Sequence, residues 1–188
     1  MTSLQPTDAL ILVDIQNDFC PGGALPVPGG DAVIEPANRW IESAKAGGAL
    51  VVASSDQHPP GHPSFASTGG QWPQHCIFGS GGADLNPGPH PPSYAIKFIK
   101  GTRLDRDQYS AFDGTGLAQY LRQHGVTDLW VCGLAEDVCV KATALDGVGK
   151  GFRVHLVEEA SRPLTPQSGD IARFELAKAG VLIEGRAA

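Results

Sequence analysis

The chain has 188 residues, about 41% of them apolar, enough for one sizeable core, and a single domain over residues 1–188 is expected. Its net charge of −6 is spread along the sequence without a basic run, which excludes a surface built to neutralise nucleic acid phosphates or anionic lipid. The apolar stretch near the N-terminus is too short for a signal peptide or membrane span, and Cys20, Cys76, Cys132 and Cys139 form neither a CxxC pair nor a disulfide scaffold, so a cytoplasmic protein is expected.

The first apolar run, residues 9–14, reads as a buried strand that closes on Asp14. Ile34, Ala37, Ile41 and Ala44 then recur at helical spacing, and a second strand is predicted over 49–54. Residues 55–93 are dense in Gly, Pro and His without periodicity, and a loop of that length inside a domain is usually functional or disordered. A third strand over 95–99 leads to Lys100, and Leu117, Ala118 and Leu121 mark a second helix. The run 128–134 is a fourth strand. After it a helix starts near Asp137 with Val138, Ala142, Leu145 and Val148 predicted on its inner side. Strands over 152–158 and 181–184 flank a fourth helix over roughly 167–179. This alternation predicts an open α/β fold, a mostly parallel six-stranded sheet with helices on both faces in the Rossmann-like manner.

Ligands of such sheets bind outside the carboxyl ends of the strands. That rule gathers Asp14, Asp56, His58, Lys100 and Cys139 on one rim. Cys139 follows a glycine turn at a helix start, where the helix dipole, and a lysine nearby, would favour thiolate; the ordinary alternative is a small buried core residue. Asp14 at a strand end can act as a general base if partly desolvated, or can simply hold the next loop. Lys97 competes with Lys100 for the rim, because their strand parities are opposite, and Gly101 favours Lys100 at the turn. Asp56 and His58 are two apart and point the same way on extended chain, and with His75 they make an open three-ligand metal set. Zn fits such a set, as do Mn and Fe. His62 and Ser64 lie in the same loop. Phe19 and Trp72 are large aromatics in predicted loops, able to sandwich a flat ring or to serve as ordinary packing.

The segments 13–19 (Val-Asp-Ile-Gln-Asn-Asp-Phe), 55–59 (Ser-Asp-Gln-His-Pro), 72–76 (Trp-Pro-Gln-His-Cys), Lys100-Gly101 and 133–143 (Gly-Leu-Ala-Glu-Asp-Val-Cys-Val-Lys-Ala-Thr) resemble the nicotinamidase branch of the isochorismatase-like cysteine hydrolases. The resemblance runs from about Ala9 to Glu184. It implies hydrolysis of nicotinamide to nicotinate and ammonia, with Asp14, Lys100 and Cys139 as catalytic triad and Asp56, His58 and His75 holding one divalent metal, zinc first. It also implies that Phe19 and Trp72 flank the pyridine ring, that the backbone N–H groups of Ala135 and Cys139 form the oxyanion hole, and that the Leu134–Ala135 peptide is cis. The small-molecule substrate and self-association as a homo-oligomer belong to the same implication. Gln57, where relatives often carry an aromatic, and Gly147, in place of a small apolar residue, depart from the pattern. Two other functions compete: a related amidohydrolase acting on a carbamoyl or ureido compound, and a catalytically silent binding module on the same fold.

Overall fold

The structure, a computed structural model, describes residues 4–93 and 95–185. In chain order it forms β1 (Asp8–Val13), α1 (Ile34–Gly47), β2 (Leu50–Asp56), β3 (Ile96–Lys100), α2 (Leu117–Gln123), β4 (Asp128–Leu134), α3 (Lys141–Gly149), β5 (Arg153–Arg162), α4 (Pro166–Lys178) and β6 (Leu182–Glu184). The six strands make one sheet in the order β3-β2-β1-β4-β5-β6, and every pairing is parallel. The expected class is therefore observed in its wholly parallel form. Among the described residues no helix is long and apolar enough to cross a membrane.

Central parallel strands are covered on both faces, which is why β1 is apolar after Asp8 and buried at every position. Alternate side chains serve opposite layers. Leu10 and Leu12 pack with Ala37, Trp40, Ile41 and Ala44 of α1, whereas Ala9, Ile11 and Val13 pack with residues of α2, α3 and α4. Each fully buried aliphatic side chain contributes roughly 1.5–3 kcal/mol relative to exposure, so the two layers hold the strand ends in fixed register. Local chemistry sets the helix ends. Gly48 closes α1 at φ 70°, and Thr165 opens α4 through a reciprocal capping box with Ser168, with Pro166 in the first helical position.

Two sequence expectations change. The strand predicted to end at 158 continues to Arg162, because the register between β4 and β5 shifts after Val131 and the chain stays extended past the charged pair Glu158 and Glu159. The third helix also turns a different face inward: Val138, Ala142, Leu145 and Val148 are only partly buried, and Cys139, Val140, Thr143, Ala144 and Gly147 are the buried positions. A π turn over Glu136–Val140 precedes α3, and its extra residue rotates the following face by about 100°. The small residues then bring α3 close to the sheet; a Cβ on Gly147 would lie 3.0 Å from side-chain atoms of both Leu129 and Val154.

Gly133 fixes where β4 ends. It pairs with Val13, its φ is 125°, and a Cβ there would lie 2.0 Å from the Val13 carbonyl oxygen. Gly133→Ala is therefore expected to cost roughly 3 kcal/mol or more, from backbone strain and a forced parting of the two central strands. Urea unfolding checks this, and an unchanged midpoint would refute it.

Candidate active site

The carboxyl ends of β1, β2 and β3 meet the turn after β4 at one buried cluster. Asp14, just past β1 at φ 48°, accepts a hydrogen bond from Ser54 Oγ at 2.7 Å and faces Lys100 Nζ at 2.8 Å. Lys100 is fully buried at the last position of β3, directly opposite Asp56 in the register of β2 and β3. Its Nζ lies 3.0 Å from Asp56 Oδ1 and 3.6 Å from Cys139 Sγ, and it donates to the Gln108 carbonyl at 3.1 Å. Lys97 is exposed on the other parity, so the choice between the two lysines is settled by the pleat. Gly101 supplies the room: at φ 74°, a Cβ on it would come within 2.3 Å of Asp56 Oδ1.

This cluster sets the proton positions. Burial pushes the Asp14 carboxyl above its ordinary range, Lys100 opposing and Asp56 reinforcing the shift. Burial also works against the Asp56 carboxylate, but Lys100 and His58 outweigh it and hold that group below the usual range. Desolvation likewise disfavours the Lys100 ammonium, yet the two carboxylates raise its pKa well above normal. Cys139 corrects an expectation. Burial raises its thiol pKa well above the ordinary value despite Lys100, so desolvation outweighs the helix terminus and the resting group is a thiol.

Asp56 also faces the loop histidines. His58 Nδ1 lies 2.9 Å from the Gly101 carbonyl and His75 Nδ1 2.7 Å from the Pro73 carbonyl. A carbonyl can only accept, so both Nδ1 atoms carry the proton, and in the neutral rings both Nε2 atoms present lone pairs. His58 Nε2 is buried without a hydrogen-bond partner and stands 3.2 Å from Asp56 Oδ2. Two acceptors so placed need a cation between them, either a proton or a metal. Asp56, His58 and His75 each offer a ligand atom, all within 4.8 Å of one another, and two imidazoles with one carboxylate suit a divalent transition metal or zinc. Asp14, Asp56 and Cys139 are equally close, but Lys100 Nζ already contacts all three and excludes a second cation. His62 stacks on His58 with ring centroids 4.1 Å apart and its Nδ1 2.7 Å from Ser64 Oγ; it groups with His58 and Asp107 rather than with His75.

A cavity opens over the thiol, and Phe19, Trp72, Tyr109, His75, Ala135 and Cys139 are among its walls. Phe19 ends a short helical turn over Asn17–Phe19 and lies 5.6 Å from the His75 ring, centroid to centroid. Trp72 donates its indole N–H to the Tyr109 hydroxyl at 3.1 Å. The Leu134–Ala135 peptide is cis. Asp14, Phe19, Asp56, His58, Trp72, His75, Lys100, Ala135 and Cys139 are thus brought to one place, and Lys97 is not. Sequence reasoning missed Ser54, Tyr109 and the Gln108 carbonyl. Ser54 and Ser55, polar yet inside an apolar strand, were a readable signal; residues 101–116 carry no periodicity that could have pointed to the other two.

Gln16 joins the loop to the strand. Its Oε1 accepts from the Asp56 N–H at 2.7 Å, while Nε2 donates to the carbonyls of Asp56 at 2.8 Å and Ala83 at 2.7 Å. Both ends of one buried amide are satisfied, which holds Asp56 against rotation.

A wholly parallel sheet in this strand order, with a buried thiol, acid and lysine joined at its rim, defines a Rossmann-like α/β enzyme whose chemistry sits at the strand ends. The Isochorismatase domain model matches residues 8–186, and the chain belongs to the isochorismatase family. It is 41% identical to the nicotinamidase of Escherichia coli, over 95% of this chain and 94% of that protein. Among solved structures, the pyrazinamidase of Pyrococcus horikoshii in complex with zinc superposes with a TM-score of 0.92 at 44% identity, covering 95% of this chain and 99% of the other. An L. infantum protein in complex with nicotinate gives a TM-score of 0.89 at 37% identity, covering 97% and 95%.

Proposed function

We propose that this chain hydrolyses nicotinamide to nicotinate and ammonia through a thioester on Cys139, and that it acts as a single cytoplasmic domain able to self-associate. The observation that carries the reading is the meeting of Asp14, Asp56 and Cys139 on one buried ammonium, Lys100 Nζ, beneath an aromatic-walled cavity. The nicotinamidase relatives and the neighbours solved with zinc and with nicotinate support the substrate and the metal.

In this mechanism Asp14 takes the Cys139 proton as Sγ attacks the carboxamide carbon, and the C=O electron pair moves onto oxygen. The raised pKa of Asp14 makes its carboxylate a stronger base than an ordinary one. Lys100 holds the charge that passes between thiol and acid. The backbone N–H groups of Ala135 and Cys139 receive the oxyanion. Collapse breaks the C–N bond, Asp14 returns the proton to nitrogen, and ammonia leaves. Water then attacks the thioester with Asp14 as base, releasing the acid and restoring the thiol. Asp56, His58 and His75 would hold the divalent ion, zinc first with Mn or Fe as alternatives, and a bound ion would fix the pyridine nitrogen. Phe19 and Trp72 would flank the ring. Orientation of this kind can supply several kcal/mol of the barrier reduction.

Ammonia release from nicotinamide by the purified protein, before and after chelation and metal restoration, tests the reading, with a ureido compound as comparison. Release from nicotinamide that falls at least tenfold on chelation and returns with metal is expected. Release from the ureido compound alone would overturn the substrate assignment, and release from neither would favour a binding module.

A further inference from the structure

Beside the nucleophile the chain buries a charge that the proposed chemistry does not use. Glu136, fully buried, follows the cis peptide and opens the π turn that ends one residue beyond Cys139. Its Oε1 accepts from Arg173 Nη1 of α4 at 2.5 Å. The same guanidinium reaches Asp170 Oδ1 at 2.6 Å and Glu158 Oε1 of β5 at 3.5 Å. The next residue is tied to the same region: Asp137 Oδ1 accepts from the Leu164 N–H at 3.0 Å, and Leu164 is a wall of the cavity. The turn itself is held from inside by an i to i+5 bond, Val140 N–H to the Ala135 carbonyl at 3.1 Å.

Stability alone does not explain this arrangement. A single π turn is a rare, wide conformation, and buried ion pairs contribute little over apolar residues of the same volume. Burial pushes the Glu136 carboxyl up to about 7, Arg173 opposing and Glu158 and Asp137 adding to the rise, so its charge depends on its partner. What the pair does provide is direction. A bond from α4 to the first residue of the turn fixes the angle at which the turn leaves β4, and with it the position of Sγ three residues later.

We propose that Glu136 and Arg173 are positioning residues that hold the π turn so that Cys139 Sγ and the backbone N–H groups of Ala135 and Cys139 face the reacting carbonyl. The pair acts through the turn and touches no substrate. Its kinetic consequence rests on the nicotinamidase reading; its effect on the thiol does not.

The test uses the metal-loaded full chain and the double variant Glu136→Met/Arg173→Met, which replaces the ion pair with apolar groups of similar length, so that neither member is left buried without the other. Expected are near-native thermal unfolding, kcat for nicotinamide lowered about tenfold with KM within about twofold, and Cys139 alkylation by iodoacetamide slowed by a similar factor. Arg173→Lys, which keeps the cation, should recover most of both rates. A folded double variant with wild-type kcat and alkylation rate would overturn the proposal. So would a double variant that unfolds, since the pair would then be a stabilising one. If the wild-type chain does not hydrolyse nicotinamide, the alkylation rates alone decide whether the pair positions the thiol.

Discussion

Cys139→Ala is expected to lower nicotinamide turnover by roughly 10⁴-fold or more while leaving binding of the substrate nearly unchanged. The substitution removes one atom from a side chain that is 5% exposed. The surrounding core loses little, and what remains is a cavity with its aromatic walls and the metal group intact. Lys100 keeps both of its carboxylate partners at 2.8 and 3.0 Å, so no buried charge is left unpaired. Binding and chemistry therefore separate cleanly in this variant. Steady-state kinetics and calorimetric titration with nicotinamide check the two halves, and an alanine variant that retained more than roughly a hundredth of the wild-type kcat would exclude a thioester route.

Asp14→Asn is expected to lower kcat by roughly 10²- to 10⁴-fold, the range for loss of a positioned general base. Asparagine matches the shape and can still accept from Ser54 Oγ, but it cannot take the thiol proton. Because burial raises the thiol pKa well above its ordinary value, the group does not ionise by itself near neutrality, and the dependence on Asp14 is correspondingly strong. The pH profile adds a second check. A base must be unprotonated to act, and the Asp14 pKa lies above its ordinary 3.8, so kcat/KM of the wild type should rise with pH along a limb displaced upward from that value. The asparagine variant should lack this limb. A variant that kept both the limb and the rate would reassign the base.

Much of this site could be read in the sequence because the fold rule and the residue chemistry agree. Six apolar runs predict six strands, and the rim rule then selects Asp14, Asp56, His58, Lys100 and Cys139 before any pairing is known. Lys100 was separable from Lys97 only through Gly101. What could not be read depends on tertiary surroundings. The thiol pKa follows from desolvation by residues far apart in sequence, and the net shift runs opposite to the one expected from a helix terminus. The inner face of α3 was misjudged because a π turn leaves no periodic trace in five residues. Ser54 and Tyr109 matter through partners 40 and 37 residues away, and Arg173 meets Glu136 across 37.

The strand order has a consequence for a chain that is made from one end. By residue 100 the acid and the lysine exist, but the thiol comes only at 139, on the turn that follows β4. β4 is also the strand that pairs with the second side of β1. The nucleophile thus arrives with the strand that closes the middle of the sheet, and a partly synthesised chain lacks the reactive sulfur for as long as its central strand has an open edge.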